Sequence, residues 1–300
     1  MASPSPQHLP DKISNFRDIS LLINDPAPHP PTLKPALFFR SALPSTASPS
    51  ARITLTTTHH IQTIIDLRTD TEILEEQKSQ KPTTKRQPSP PSPSLSTPQQ
   101  PLPKTHHLSL NASSYSRALL KRLSYAQTLK LAALYATGYR TQAISILGTN
   151  VMTPRGLSGL ALDTLTHSTS EIASLFTLLS KPAIYPVLVH CTQGKDRTGL
   201  VVLLVALVCG ASEEGVERDY LRSGVELEGE REERVREIGK IGLPASFAGV
   251  EEGWVGVVCR WLGEEWGGVE GYLERACGVS REAIEGVRRI LVAREEEETR

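Results

Sequence analysis

The chain has 300 residues, and its 33 Lys/Arg balance its 33 Asp/Glu, so nothing in the bulk charge calls for a nucleic-acid partner. Four cysteines with no Cys-x-x-Cys pair argue against a zinc site or a disulfide framework. The longest apolar run, residues 200–208, is far too short to cross a bilayer, and the opening Met1-Ala2-Ser3-Pro4 has no apolar signal region.

In chain order, residues 1–12 read as a disordered lead. Short apolar strands are predicted at 36–39 and 61–66, with a helix after Pro49 between them. Thr71 is expected to cap an acidic helix over 72–76. Residues 81–103 are rich in Pro, Ser and Thr and too polar to fold alone, so a disordered insertion is expected at about 79–104. The next strand is predicted at 106–110. The spacing of Leu119, Leu120, Leu123, Leu129 and Leu134 predicts one long helix over 115–137, followed by a turn at Met152-Thr153-Pro154. A helix over 169–180 leads into the apolar strand Val187-Leu188-Val189. Beyond residue 208, helices are predicted near 212–223, 228–239, 251–262, 265–276 and 280–294, before an acidic tail at 293–300. Strands alternating with helices imply an α/β domain over 13–292, with a central, mostly parallel sheet flanked by helices.

The most informative segment is His190-Cys191-Thr192-Gln193-Gly194-Lys195-Asp196-Arg197-Thr198-Gly199. It joins the apolar strand to a wholly apolar helix. In such a turn the amide groups of residues 192–197 can face inward as an anion-binding nest, backed by the positive end of the helix. A free thiol titrates near about 8.5, but helix termini, amides and cations lower that to roughly 3.5–7.5. Cys191 has all three beside it. Arg197 can grip two phosphoryl oxygens with its planar fork, which a lysine cannot do. The pattern therefore predicts attack of the thiolate on phosphorus and hydrolysis of a cysteinyl-phosphate by water. Thr192, Gln193, Gly194, Lys195, Asp196 and Arg197 form the expected cradle. Thr198 offers a hydroxyl to the sulfur, and His190 is expected to orient the cysteine backbone. No cofactor or metal is needed for this route.

Other sites share parts of this pattern. A nucleotide-binding loop wants Ser or Thr directly after the lysine, whereas Asp196 follows Lys195 here, and position 189 is Val where that motif has glycine. Sulfur transfer or arsenate reduction would also use a cysteine in an anion cradle. An inert buried cysteine explains neither the charged run beside the thiol nor the two glycines. A phosphate-binding adaptor without turnover stays open.

The His190-Cys191-x5-Arg197-Thr198-Gly199 pattern resembles the signature of the protein tyrosine phosphatase superfamily. Its Gly194-Lys195-Asp196-Arg197 core is similar to the bacterial and fungal tyrosine/phosphoinositide phosphatases. Asn15-Phe16-Arg17-Asp18, Phe39-Arg40-Ser41, Asp66-Leu67-Arg68, Asp219-Tyr220-Leu221-Arg222-Ser223 and Gly271-Tyr272-Leu273 resemble that subgroup's other motifs, in the same order. The resemblance implies a tyrosine/dual-specificity phosphatase-like fold with a helical lid over 115–165 and a helical C-terminal part. It implies Asp196 as general acid, with Asp163 as a fallback, and Lys195 as a second cation at the pocket rim. The implied partners are phosphorylated proteins, with phosphotyrosine ahead of phosphoserine or phosphothreonine, or phosphoinositides. A catalytic thiolate suits a reducing, cytoplasmic setting. Arg40, Asp66 and Arg68, at strand ends, are expected to be buried ion-pair partners under the loop.

Overall fold

The computed structural model describes residues 12–25, 33–79 and 103–293. The expected polar lead, the Pro/Ser-rich insertion and the acidic tail lie almost wholly outside the described residues. Five strands form one sheet: β1 (Arg17–Asp18), β2 (Phe38–Ser41), β3 (Thr63–Asp66), β4 (Lys104–His107) and β5 (Val187–His190). Their order is β1-β2-β5-β3-β4, with β1 antiparallel to β2 and the other pairs parallel. β5 is therefore central, and in register Ser41 and Asp66 both stand opposite His190 at the carboxyl edge.

Helices cover both faces. In chain order they are α1 (Ser20–Ile23), α2 (Pro49–Thr57), α3 (Asp70–Ser79), α4 (Ser113–Leu120), α5 (Tyr125–Ala136), α6 (Arg140–Leu147), α7 (Thr153–His167) and α8 (Thr169–Leu179). After β5 come α9 (Asp196–Val208), α10 (Glu213–Glu226), α11 (Arg231–Lys240), α12 (Trp254–Trp266), α13 (Val269–Arg275) and α14 (Arg281–Leu291). Among the described residues no helix is long and apolar enough to cross a membrane.

Strand alternation divides the core. Phe38, Ile65, Val187 and Val189 face α9 in the main cluster, whereas Phe39 and Leu188 pack on the other face with Ala51 and Leu55 of α2. α9 is apolar all round and almost wholly buried, as its sequence requires. The same alternation puts Arg40 on the α9 face and Asp66 and His190 on the α2 face.

Several expected boundaries move. The cap of α3 is Thr69 rather than Thr71: Thr69 N and Oγ1 both donate to Glu72 Oε2, at 2.9 and 2.8 Å. β4 begins at Lys104, earlier than expected, and lies at the sheet edge beside β3. The single long helix expected over 115–137 is two, α4 and α5. Ser124 starts the second with a reciprocal capping box to Gln127. The expected turn at Met152-Thr153-Pro154 is helical; the backbone breaks at Gly156 instead, with φ at 64°.

Candidate active site

The loop after β5 is shaped by what holds its carbonyl oxygens. Thr192 O accepts from Leu43 N at 3.1 Å. Asn15 Nδ2 donates to Gln193 O at 3.1 Å and to Gly194 O at 2.9 Å. Arg40 Nη2 donates to Gly194 O at 2.6 Å and to Lys195 O at 3.3 Å. In a trans peptide each C=O opposes the next N–H, so the amides of residues 193–196 face the other way, into the loop. Gly194 is required within it: φ is 64°, and a Cβ there would collide with the Ser41 carbonyl.

The donors beneath the loop are themselves anchored. Asp219 of α10 pairs with Arg40, which is fully buried, and with Arg17 at 2.7 Å. Arg17 also donates to Asn15 Oδ1, which turns the Asn15 amide nitrogen toward the loop. Burial, with Arg40 alongside, lowers the Arg17 pKa to about 10. The expectation of ion pairs under the loop holds, with Asp219 as the partner of Arg40. On the other face Arg68 bonds Asp66 at 2.7 Å and Glu76 at 2.6 Å. His190 Nδ1 lies 3.2 Å from Cys191 O, and burial lowers its pKa against the pull of Asp66.

At the centre Cys191 is 3% exposed. Arg197, in the first turn of α9, reaches toward α3. Its Nη1 and Nη2 donate to the two Glu72 oxygens at 2.7 and 2.6 Å, and Thr192 Oγ1 donates to Glu72 Oε1 at 2.6 Å. Glu72 thus bridges both ends of the loop. Burial opposes its charge, but Arg197 and Thr192 outweigh that and hold its pKa at about 2. A guanidinium has two bidentate edges. Glu72 takes the terminal one and Leu67 O approaches Nη1 at 3.4 Å, so among the described residues the Nε–Nη2 edge remains for an anion.

Lys195 departs from expectation. Its side chain is fully buried, not at the rim, and donates to Phe247 O at 2.9 Å and to Gly249 O. Its position in the cradle is through the backbone. Asp196 Oδ1 lies 3.5 Å from Lys195 Nζ, without hydrogen-bonding alignment, while the side chain is 48% exposed. Since Oδ1 is buried, the exposed surface is on the Oδ2 side. Asp163, the fallback acid, does not line the cavity that Asp196 and Arg197 open onto. It is buried on α7 and held by Arg122 at 2.8 Å and Arg155 at 2.9 Å. Among the described residues the buried oxygens Thr198 Oγ1 and Gln193 Oε1 have no hydrogen-bond partner, which in a folded protein marks a place for water or a polar ligand.

Gln193, Asp196, Arg197 and Glu72 open onto a cavity of about 510 Å³, which Cys191 does not line. Its walls are mainly apolar: Ile144, Met152, Leu157, Leu160, Leu243 and Phe247. Tyr115 of α4 also lines it, and burial raises that phenol's pKa. The sequence singles out neither Glu72 nor Tyr115, and it marks Asn15 only as the start of a flanking motif, without a role in the loop. The Thr69-x-x-Glu72 capping pattern was readable, but nothing local links Glu72 to an arginine 125 residues away.

The sequence profile of the tyrosine phosphatase family matches residues 10–293. A tyrosine-protein phosphatase of Nostoc commune is 30% identical over 161 residues, 48% of this chain and 54% of that protein. The triple specificity protein phosphatase PtpB of Mycobacterium tuberculosis is 30% identical over 122 residues, 36% of this chain and 44% of that one. The chain thus spans about half the length of these relatives. With the family match running from before Asn15 to beyond α14, through the nest and every motif that flanks it, the chain belongs to the tyrosine phosphatase family.

Proposed function

We propose that the chain hydrolyses phosphate monoesters through a cysteinyl-phosphate, with aryl phosphates such as phosphotyrosine as preferred substrates. The observation that carries this reading is the set of outward-held carbonyls at residues 192–195, with Cys191 and Arg197 at the two ends of the loop. The Cys191 thiolate attacks phosphorus in line. The bond to the leaving oxygen breaks, and that oxygen takes a proton from Asp196 Oδ2. Inward amides and the Nε–Nη2 edge of Arg197 receive the charge on the equatorial oxygens. Water then attacks phosphorus, gives its proton back to Asp196, and releases phosphate and thiolate. Thr198 Oγ1, buried and unpartnered among the described residues, can hydrogen-bond the departing sulfur.

An apolar cavity beside the cradle favours a flat apolar leaving group over a short alkyl chain. Phosphoserine, phosphothreonine and phosphoinositides are the further substrates to be ranked. The test is phosphate release by wild type and Cys191→Ser from phosphotyrosine peptide, phosphoserine peptide and phosphoinositides, without added metal. Release lost in Cys191→Ser supports the covalent route. Binding without release by the wild type would identify an adaptor instead.

A further inference from the structure

We infer that the outer face of α5 and its flanking basic residues form a docking surface for an anionic lipid bilayer. The inference does not rest on the catalytic reading. α5 is the unusual element: its sequence, Tyr125-Ala-Gln-Thr-Leu-Lys-Leu-Ala-Ala-Leu-Tyr-Ala136, is largely apolar, yet none of its residues is buried. Leu131 and Leu134 lean inward on the cluster of Tyr115, Leu119, Leu123, Ile146 and Val151. Tyr125, Leu129, Ala132 and Ala136 recur at the spacing of a single stripe and face solvent. Tyr125 is 85% exposed and Leu129 60%. Tyr135 and Tyr139 extend the apolar surface at the far end, where Arg140 lies 5.5 Å from the Tyr135 ring.

The charge around this stripe names the occupant. Between residues 113 and 162 stand Arg117, Lys121, Arg122, Lys130, Arg140 and Arg155 and not one Asp or Glu; Arg122 and Arg155 are taken by Asp163, which leaves Arg117, Lys121, Lys130 and Arg140. The whole chain is neutral, so this is a local field rather than a general one. Lys121 at the end of α4, Lys130 on α5 and Arg140 at the start of α6 are all exposed. Tyrosines and leucines between exposed basic side chains match an interfacial helix. The apolar stripe enters the acyl boundary while the cations reach lipid phosphates. A second copy of the chain fits less well, since a two-fold interface through α5 would set Lys121, Lys130 and Arg140 against their own copies. The same substructure supplies Tyr115, Ile144 and Met152 to the cavity wall, so docking would bring the cavity close to the lipid headgroups.

The test is co-sedimentation of the full chain with vesicles of phosphatidylcholine alone and of phosphatidylcholine mixed with phosphatidylserine. Binding is expected only to the anionic vesicles, weakening as salt rises. Lys121→Ala with Lys130→Ala should lower partitioning roughly 25-fold, on the order of fivefold per removed charge. Tyr125→Ser with Leu129→Ser should abolish it. Unchanged circular dichroism and unchanged hydrolysis of soluble p-nitrophenyl phosphate would show that both double variants are folded. Wild-type binding that is absent, equal on both vesicles, or retained by either double variant overturns the inference. So does light scattering that finds a dimer broken by these same substitutions, which would make a second copy the occupant. Because sedimentation needs no turnover, a failure here is distinct from a failure of the hydrolase reading.

Discussion

Glu72 holds both terminal nitrogens of Arg197, at 2.6 and 2.7 Å, from a helix on the far side of the loop. The contact fixes the plane of the guanidinium and leaves its side edge toward the cradle. Glu72→Ala should therefore lower kcat/KM by about 10- to 100-fold, the scale at which misplacing a catalytic group is felt. Steady-state kinetics on an aryl phosphate checks this. An unchanged or raised kcat/KM would mean that Glu72 only competes with substrate.

The same contact has a pH signature. The Glu72 pKa falls from its usual 4.5 to about 2 in the folded chain, so the stabilisation is complete above 4.5 and is lost as pH drops toward 2. Thermal midpoints of wild type and Glu72→Gln should converge across that window. A gap that stays constant from pH 7 down to about 2 would contradict the linkage.

Cys191→Ser should abolish turnover while keeping phosphate affinity, because the cradle is backbone. Arg197→Lys should lose on the order of 10²–10³ in kcat, since one point charge cannot replace a bidentate edge. Calorimetric binding of inorganic phosphate separates the two: it should persist in the first variant and weaken in the second.

Asp196→Asn should slow release of alkyl leaving groups by about 10²–10⁴ and spare the first-turnover burst of esters whose leaving group needs no proton. Comparing phosphoserine peptide with p-nitrophenyl phosphate tests the assignment. Asp163→Asn should leave that ratio unchanged and lower stability instead, since it leaves Arg122 and Arg155 without their shared carboxylate.

Gly194→Ala should cost both stability and activity. The left-handed backbone and the nearby Ser41 carbonyl leave the new methyl no room, and the carbonyl that Asn15 and Arg40 hold would have to move. A lower thermal midpoint with a matching loss of kcat is expected; a neutral substitution would show that the loop tolerates another shape.

The cradle was legible because its parts are contiguous. Cys191, Gly194 and Arg197 lie within one turn between a strand and an apolar helix, so spacing alone brings them together. The α/β layering was legible for the same local reason. Lys195 and Asp163 were not, because distant chain decides their surroundings. Phe247, 52 residues on, takes the lysine inward, and Arg122 and Arg155 capture the aspartate. The division of the long helical pattern was readable in principle, since Ser124 and Gln127 form a capping box. Leucine periodicity hid it, because Leu129 shares that periodicity while pointing to solvent.

Tyr115, Leu119, Leu123, Ile146 and Val151 form a small core separate from the one around α9. A substructure with its own core opens on its own free-energy scale. Amide exchange over α4–α6 can therefore be fast while α9 and β5 remain protected. Access to the cavity and the shape of the cradle are then set by different parts of the sequence, so the chain can change what it admits without disturbing how it reacts.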